Sequence, residues 1–93
     1  MTRELDSLVH KAADVLKSFG ATDVYLFGSI AKGANDEHSD IDLAVSGLPP
    51  KVFFKAMGST MNVIKREFDL VDLDERNPFV DYLKSRGDLK HVA

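Results

Sequence analysis

Residues 40–45 read Asp-Ile-Asp-Leu-Ala-Val, and this short alternation constrains the chain more than any other segment. Successive side chains of a β-strand point to opposite faces, so Asp40 and Asp42 share one face while the apolar side chains enter a core. Two neighbouring carboxylates repel each other unless one is protonated or a cation neutralises them. Mg²⁺ suits such a pair, because it prefers one or two carboxylates together with water and phosphate oxygens.

A glycine turn follows another predicted strand upstream. Residues 22–27 form a β-branched and aromatic run that ends at Gly28-Ser29, where a helical turn begins. Glycine allows phosphate to approach the backbone closely, and free N–H groups with the Ser29 hydroxyl suit an anion. Gly33 permits the loop to bend back toward the second strand. A P-loop is disfavoured, because the order Gly-X4-Gly-Lys-Ser/Thr is missing from the sequence.

The remaining apolar residues predict helices and one more strand. Helical spacing marks residues 3–19 and about 51–66, a strand pattern marks 68–73, and a closing helix covers 78–85. In the second helix, Met61 is expected in the core and Phe54 at the surface. We therefore predict an α/β fold with a small mixed sheet of three to four strands, helices packed mainly on one face, and the acidic residues on the open side.

Length and composition limit the function further. With 93 residues, 44% of them hydrophobic, we expect a single domain over residues 1–93 that gains stability from a partner or from oligomerisation. The lack of cysteine excludes disulfides and thiolate catalysis, and it fits a reducing cytoplasm. Apolar runs are too short to span a membrane. A net charge of −3 argues against direct DNA binding.

The glycine turn and the acidic strand together resemble a known signature. Phe-Gly-Ser-Ile-Ala-Lys-Gly at 27–33, a polar loop and Ser-Asp-Ile-Asp-Leu-Ala-Val at 39–45 are similar to minimal nucleotidyltransferases of the DNA polymerase β-like superfamily, including MntA-like antitoxins of HEPN–MNT pairs. The resemblance covers most of the chain and implies a third carboxylate on a later strand. Asp69 matches that position; Asp72, of opposite strand parity, and Asp74 stay as alternatives.

The resemblance also implies roles for individual residues. It implies catalytic, metal-binding carboxylates at Asp40, Asp42 and Asp69. It implies contacts to the phosphates of ATP from Gly28, Ser29, Lys32 and Gly33. Lys32 departs from the more usual arginine, so it keeps a positive charge without the guanidinium fork. The expected reaction is in-line attack on the α-phosphorus with release of pyrophosphate, which two Mg²⁺ ions stabilise.

The function implied is transfer of AMP from ATP to a hydroxyl, with a partner protein such as a HEPN-domain toxin as acceptor. Two alternatives stay open: a non-catalytic module that neutralises a toxin or senses nucleotide, and a catalytic subunit for a small molecule with a separate binding subunit. A hydrolase built on Ser29, His38 and Asp42 is disfavoured, because a Gly-X-Ser-X-Gly elbow is missing. His10 and His91 show no metal-ligand spacing.

Overall fold

Helices and strands alternate along the chain. The computed structural model describes residues 3–31, 40–86 and 88–93. The described helices are α1 (Arg3–Ser18), α2 (Gly28–Ala31), a 3₁₀ turn (Pro50–Val52), α3 (Phe53–Ile64) and α4 (Pro78–Arg86). The described strands are β1 (Asp23–Phe27), β2 (Ile41–Ser46), β3 (Phe68–Asp72) and β4 (Lys90–His91). Within these ranges, every helix is too short or too polar to cross a membrane.

The strands form one mixed sheet in the order β3-β2-β1-β4. Strand β1 is antiparallel to β2 and β4, whereas β3 is parallel to β2. Because β1 runs opposite to β2 and β3, its end meets their beginnings at one edge of the sheet. Phe27, Asp42 and Asp69 lie in one row there, since Asp42 is the register partner of both other residues.

Helices α1 and α3 cover one face of the sheet. Ile41, Leu43 and Val45 of β2 are fully buried on this face, as the alternation in the sequence predicts. The helices contribute apolar side chains at helical spacing, among them Leu5, Val9, Ala12, Leu16, Ala56 and Ile64. Each fully buried Val, Leu or Ile stabilises the fold by roughly 1.5–3 kcal/mol. This core therefore fixes β2, which carries Asp42 on its other face.

Helix α4 packs on the opposite face. Its buried residues Val80 and Leu83 contact a cluster that includes Phe27, Ala44 and Leu73. Asn77 caps the helix, because the Val80 N–H donates a hydrogen bond to Asn77 Oδ1 at 2.9 Å. The prediction of helices mainly on one face is thus confirmed by α1 and α3, while α4 closes part of the other face. Asp42 and Asp69 keep access to solvent beside it.

Two local features differ from the sequence predictions. The helix predicted over 51–66 begins as the 3₁₀ turn and ends at Ile64, because Lys65 adopts a left-handed backbone with φ 55°. Met61, which was expected in the core, is 50% exposed. It shares the outer side of α3 with Phe54, seven residues earlier, whereas Thr60 and Ile64 face the core. Phe54 is exposed as predicted.

Candidate active site

Asp42 is the central residue of a group of carboxylates at the sheet edge described above. Its register partner on β3 is Asp69, and adjacent strands lie roughly 4.8 Å apart. Asp40 immediately precedes β2 and is exposed. We call the sheet edge with Asp40, Asp42 and Asp69 the acidic edge. The structure thus brings together the three carboxylates that the sequence singled out.

The acidic edge is electrostatically strained at Asp42. The pKa of Asp42 is raised to about 6, most of all by partial burial, and in addition by the negative charge of Asp69, a hydrogen bond with Asp69 and the charge of Asp40. All of these causes disfavour the ionised form of Asp42. A cation at the acidic edge would reverse this balance, because it lowers the free energy of the ionised carboxylates.

Gly28 lies directly against Asp42 where β1 passes into α2. Its backbone is left-handed, with φ 79°, a conformation that residues other than glycine rarely adopt. A Cβ atom at position 28 would overlap Oδ2 of Asp42 and lie 3.1 Å from its Cγ. The glycine of the predicted turn therefore serves two purposes: it permits the sharp turn, and it leaves space for the Asp42 carboxylate.

A pocket of about 170 Å³ opens on the β3 side of the acidic edge. Asp40 and Asp69 line it together with Glu67, Phe68 and Met61. Glu67 was not among the predicted site residues, although its position two residues before Asp69 was a usable signal, since residues two apart share a strand face. The pocket gives the acidic edge a recess that a substrate group could enter.

The alternative third carboxylates lie elsewhere. Asp72 is paired in register with Val45, at the other end of β3 from Asp69. Its Oδ1 accepts a hydrogen bond from the Asp74 N–H at 2.9 Å, and Asp74 Oδ2 accepts one from the Gly47 N–H at 2.7 Å. Both residues therefore stabilise turns at the opposite sheet edge.

The other candidate residues are outside the acidic edge or outside the described residues. Lys32, Gly33 and His38 lie outside the described residues, and so does the side chain of Ser29. His10 contacts Asp6 within α1. His91 Nε2 lies 3.0 Å from Asp23 Oδ1 on the surface of the sheet.

The carboxylates of the acidic edge fit Mg²⁺ better than a fully protein-enclosed metal. Among residues 3–31, 40–86 and 88–93, no three His, Cys, Asp or Glu side chains converge into a ready metal cage. Mg²⁺ needs no such cage, since one or two carboxylates, water and substrate phosphates complete its coordination. Neighbouring carboxylates of this kind, where burial and then mutual repulsion raise the pKa of Asp42, are the donor set that such an ion uses.

A mixed sheet that gathers a strand–glycine–helix turn and neighbouring carboxylates at one edge is the arrangement of a nucleotidyltransferase domain. Residues 10–88 match the family described as Polymerase beta, Nucleotidyltransferase. The chain belongs to this family, so the resemblance inferred from the motifs is confirmed. No curated protein is significantly similar to the chain.

Solved structures share the fold at low sequence identity. A structure described as a minimal nucleotidyltransferase has a TM-score of 0.72 and 20% identity, over 97% of this chain and 92% of that chain. A chain of a toxin–antitoxin crystal structure with AMP-PNP has a TM-score of 0.69 and 24% identity, over 88% of this chain and 70% of that chain. A chain from a structure of tri-AMPylated Shewanella oneidensis HEPN toxin in complex with MNT antitoxin has a TM-score of 0.65 and 22% identity, over 97% of this chain and 71% of that chain.

Proposed function

We propose that this protein transfers the AMP group of ATP to a hydroxyl of a partner protein, in a Mg²⁺-dependent reaction in the cytoplasm. Family membership supports nucleotidyl transfer as the reaction class. The observation that carries the proposal is the position of Asp42, with Gly28 against its carboxylate and Asp69 as its neighbour on β3. Phosphate and acceptor would then meet over one carboxylate.

The acidic edge and the glycine turn have different roles in this proposal. Asp40, Asp42 and Asp69 would hold Mg²⁺, which would neutralise the triphosphate and the charge that develops during transfer. The turn at Gly28 and Ser29, with Lys32 and Gly33 after it, binds the phosphates. Asp69 also orients the acceptor hydroxyl, since it lines the pocket on the β3 side.

The transfer step balances without a further reactant. The acceptor oxygen attacks the α-phosphorus and forms a new O–P bond, while the bond to the oxygen that bridges to the β-phosphate breaks. Pyrophosphate leaves with that electron pair. The hydroxyl proton passes to the Asp69 carboxylate, whose exposed position allows water to remove it afterwards.

The proposal of a protein acceptor rests on the structural neighbours. One neighbour is described as a complex with a tri-AMPylated HEPN toxin, and another as a toxin–antitoxin structure with AMP-PNP. We take a HEPN-domain toxin as the acceptor for this chain as well, which makes the protein an antitoxin that modifies its toxin.

The test uses ATP labelled on either the α- or the γ-phosphate, with Mg²⁺ and a lysate of the source cells. Wild-type protein is expected to label a protein band with α-labelled ATP only, because AMP is transferred and pyrophosphate leaves. Asp42→Asn is expected to remove the band, whereas Asp72→Asn, at the opposite sheet edge, keeps it. If γ-labelled ATP also labelled this band, or if α-labelled ATP still labelled it with Asp42→Asn, this function would be disproved. ATP binding without any labelled band would favour the non-catalytic module.

A further inference from the structure

Helix α4 brings a half-exposed aromatic ring close to the acidic edge. Phe79 is 49% exposed, and its ring packs at 65° to that of Phe27 with 6.0 Å between the ring centroids. Phe27 is itself buried and is the register partner of Asp42. The order across this face is therefore Asp69, Asp42 and Phe27, with Phe79 packed against the last of them.

We propose that Phe79 stacks against the base of the bound nucleotide and so fixes the nucleoside during transfer. This inference rests on the proposed function, since it needs a nucleotide whose phosphates lie beside Gly28 and Asp42. It adds a base-binding residue that the sequence motifs do not contain.

Within residues 3–31, 40–86 and 88–93, the surroundings of Asp42 leave few directions for the nucleoside. The face under α1 and α3 is closed, since Leu26 and Leu43 are fully buried there. The β3 side holds the pocket lined by Asp40, Glu67 and Asp69, which the acceptor occupies in the proposed function.

Toward the middle of the sheet, α4 covers the surface, because Ala44 is fully buried beneath Val80 and Leu83. Among the described residues, the side of β1 with Phe27 and Phe79 is the remaining apolar surface next to Asp42.

The contact between the two rings holds the Phe79 ring in one orientation. The edge-to-face packing on Phe27 restricts the Phe79 ring, while half of its surface stays free for a flat partner. Base–aromatic stacking accepts any base, so the contact should strengthen binding of ATP and GTP alike, by about 10-fold.

Tyr82, one turn further along α4, is a natural control. It is 48% exposed, almost the same as Phe79, but its ring is covered by the Arg86 guanidinium at 5.5 Å from the ring centroid. A general effect of losing an exposed aromatic side chain from α4 would therefore appear equally at Tyr82 and Phe79.

The chain contains no tryptophan, so a single introduced one reports on its own position. With Mg²⁺ present, ATP is expected to quench the fluorescence of Phe79→Trp, whereas inorganic triphosphate leaves it unchanged. Tyr82→Trp is expected to respond to neither. Quenching by triphosphate alone, or equal quenching at both positions by ATP, would overturn the assignment of Phe79 to the base.

Affinity measurements by calorimetry complete the test. Phe79→Ala is expected to weaken ATP binding about 10-fold and to leave inorganic triphosphate binding unchanged, while Phe79→Tyr restores ATP binding. Tyr82→Ala should bind both like wild type. Unchanged ATP affinity in Phe79→Ala, or equal losses for ATP and triphosphate, would overturn the inference alone. Wild-type protein that binds neither compound would overturn the proposed function together with it.

Discussion

Gly28, directly after β1, lies against the carboxylate of Asp42 on the antiparallel strand β2, with no room for a side chain between them. A Cβ atom at position 28 would overlap one carboxylate oxygen of Asp42 and lie 3.3 Å from its Cβ. The turn that would receive phosphate and the carboxylate that would hold Mg²⁺ are therefore one packing unit. A substitution at either residue should therefore alter the position of the other.

Gly28→Ala is expected to reduce AMP transfer strongly, because the new methyl group displaces the Asp42 carboxylate. It should also destabilise the domain by about 1–2 kcal/mol, since alanine disfavours a left-handed backbone. Gly58→Ala is the matched control: a Cβ there meets nothing within 4 Å, and glycine inside a helix costs about 0.5–1 kcal/mol relative to alanine. Urea denaturation and labelled-ATP transfer measure both effects. Full transfer by Gly28→Ala would contradict the packing argument.

Asp42→Asn should stabilise the metal-free domain above pH 6. The pKa of Asp42 is raised from 3.8 to about 6 in the folded state, so the folded protein keeps a proton that the unfolded chain releases between these values. Wild-type stability is therefore expected to fall as pH rises through this window, and asparagine removes that loss. Because Asp42 is partly exposed, we expect a gain of about 1 kcal/mol at pH 7.5 and almost none at pH 3.5.

Thermal unfolding in EDTA at several pH values measures this difference. With Mg²⁺ and a nucleotide at pH 7.5, wild type should become more stable than Asp42→Asn, because ligand binding stabilises only a folded state that retains its carboxylate. A stability difference between the two proteins that does not change with pH would refute the electrostatic explanation.

Asp69→Asn is expected to lower the rate of transfer by about 100-fold or more, since it removes one charge from the acidic edge. Asp72→Asn should transfer normally, because Asp72 lies at the other end of β3 and its Oδ1 accepts a hydrogen bond that asparagine can also accept. Single-turnover kinetics with saturating ATP compare the two variants. A large loss in Asp72→Asn with little change in Asp69→Asn would reverse the choice of third carboxylate.

His91→Ala should loosen the short strand β4. The hydrogen bond from His91 is the largest cause that lowers the pKa of Asp23, so this pKa is expected to rise toward its ordinary value in the variant. Amide exchange at Val92, whose N–H donates to the Val24 carbonyl at 2.8 Å, should become faster. NMR titration and hydrogen exchange measure both changes, and His10→Ala, on α1, should alter neither. An unchanged Asp23 pKa would show that the hydrogen bond with His91 does not lower this pKa.

Much of this arrangement could be predicted from local patterns. The alternation around Asp42 determines which of its neighbours are buried, and the same parity rule separates Asp69 from Asp72. Both are properties of a single strand, so they can be recognised without knowledge of the neighbouring strands. The metal-binding and phosphate-binding roles of these residues stay predictions.

Other features depend on long-range packing that a local pattern does not encode. Val80 and Leu83 predict an apolar side of α4, but they do not reveal which face of the sheet it covers. The β4 residues Lys90 and His91 are exposed and carry no apolar alternation, so their pairing with β1 left no signal. The sequence places Phe79 in the closing helix, but only its packing on Phe27 relates it to Asp42.

The interior position of β2 has one more consequence. Since β2 is hydrogen-bonded to β1 on one side and to β3 on the other, the backbone of Asp42 cannot move without opening the sheet. Asp42 therefore has no separate melting step of its own. On heating, Asp42 should keep its position against Gly28 until the whole domain unfolds, so the two changes should occur at the same temperature.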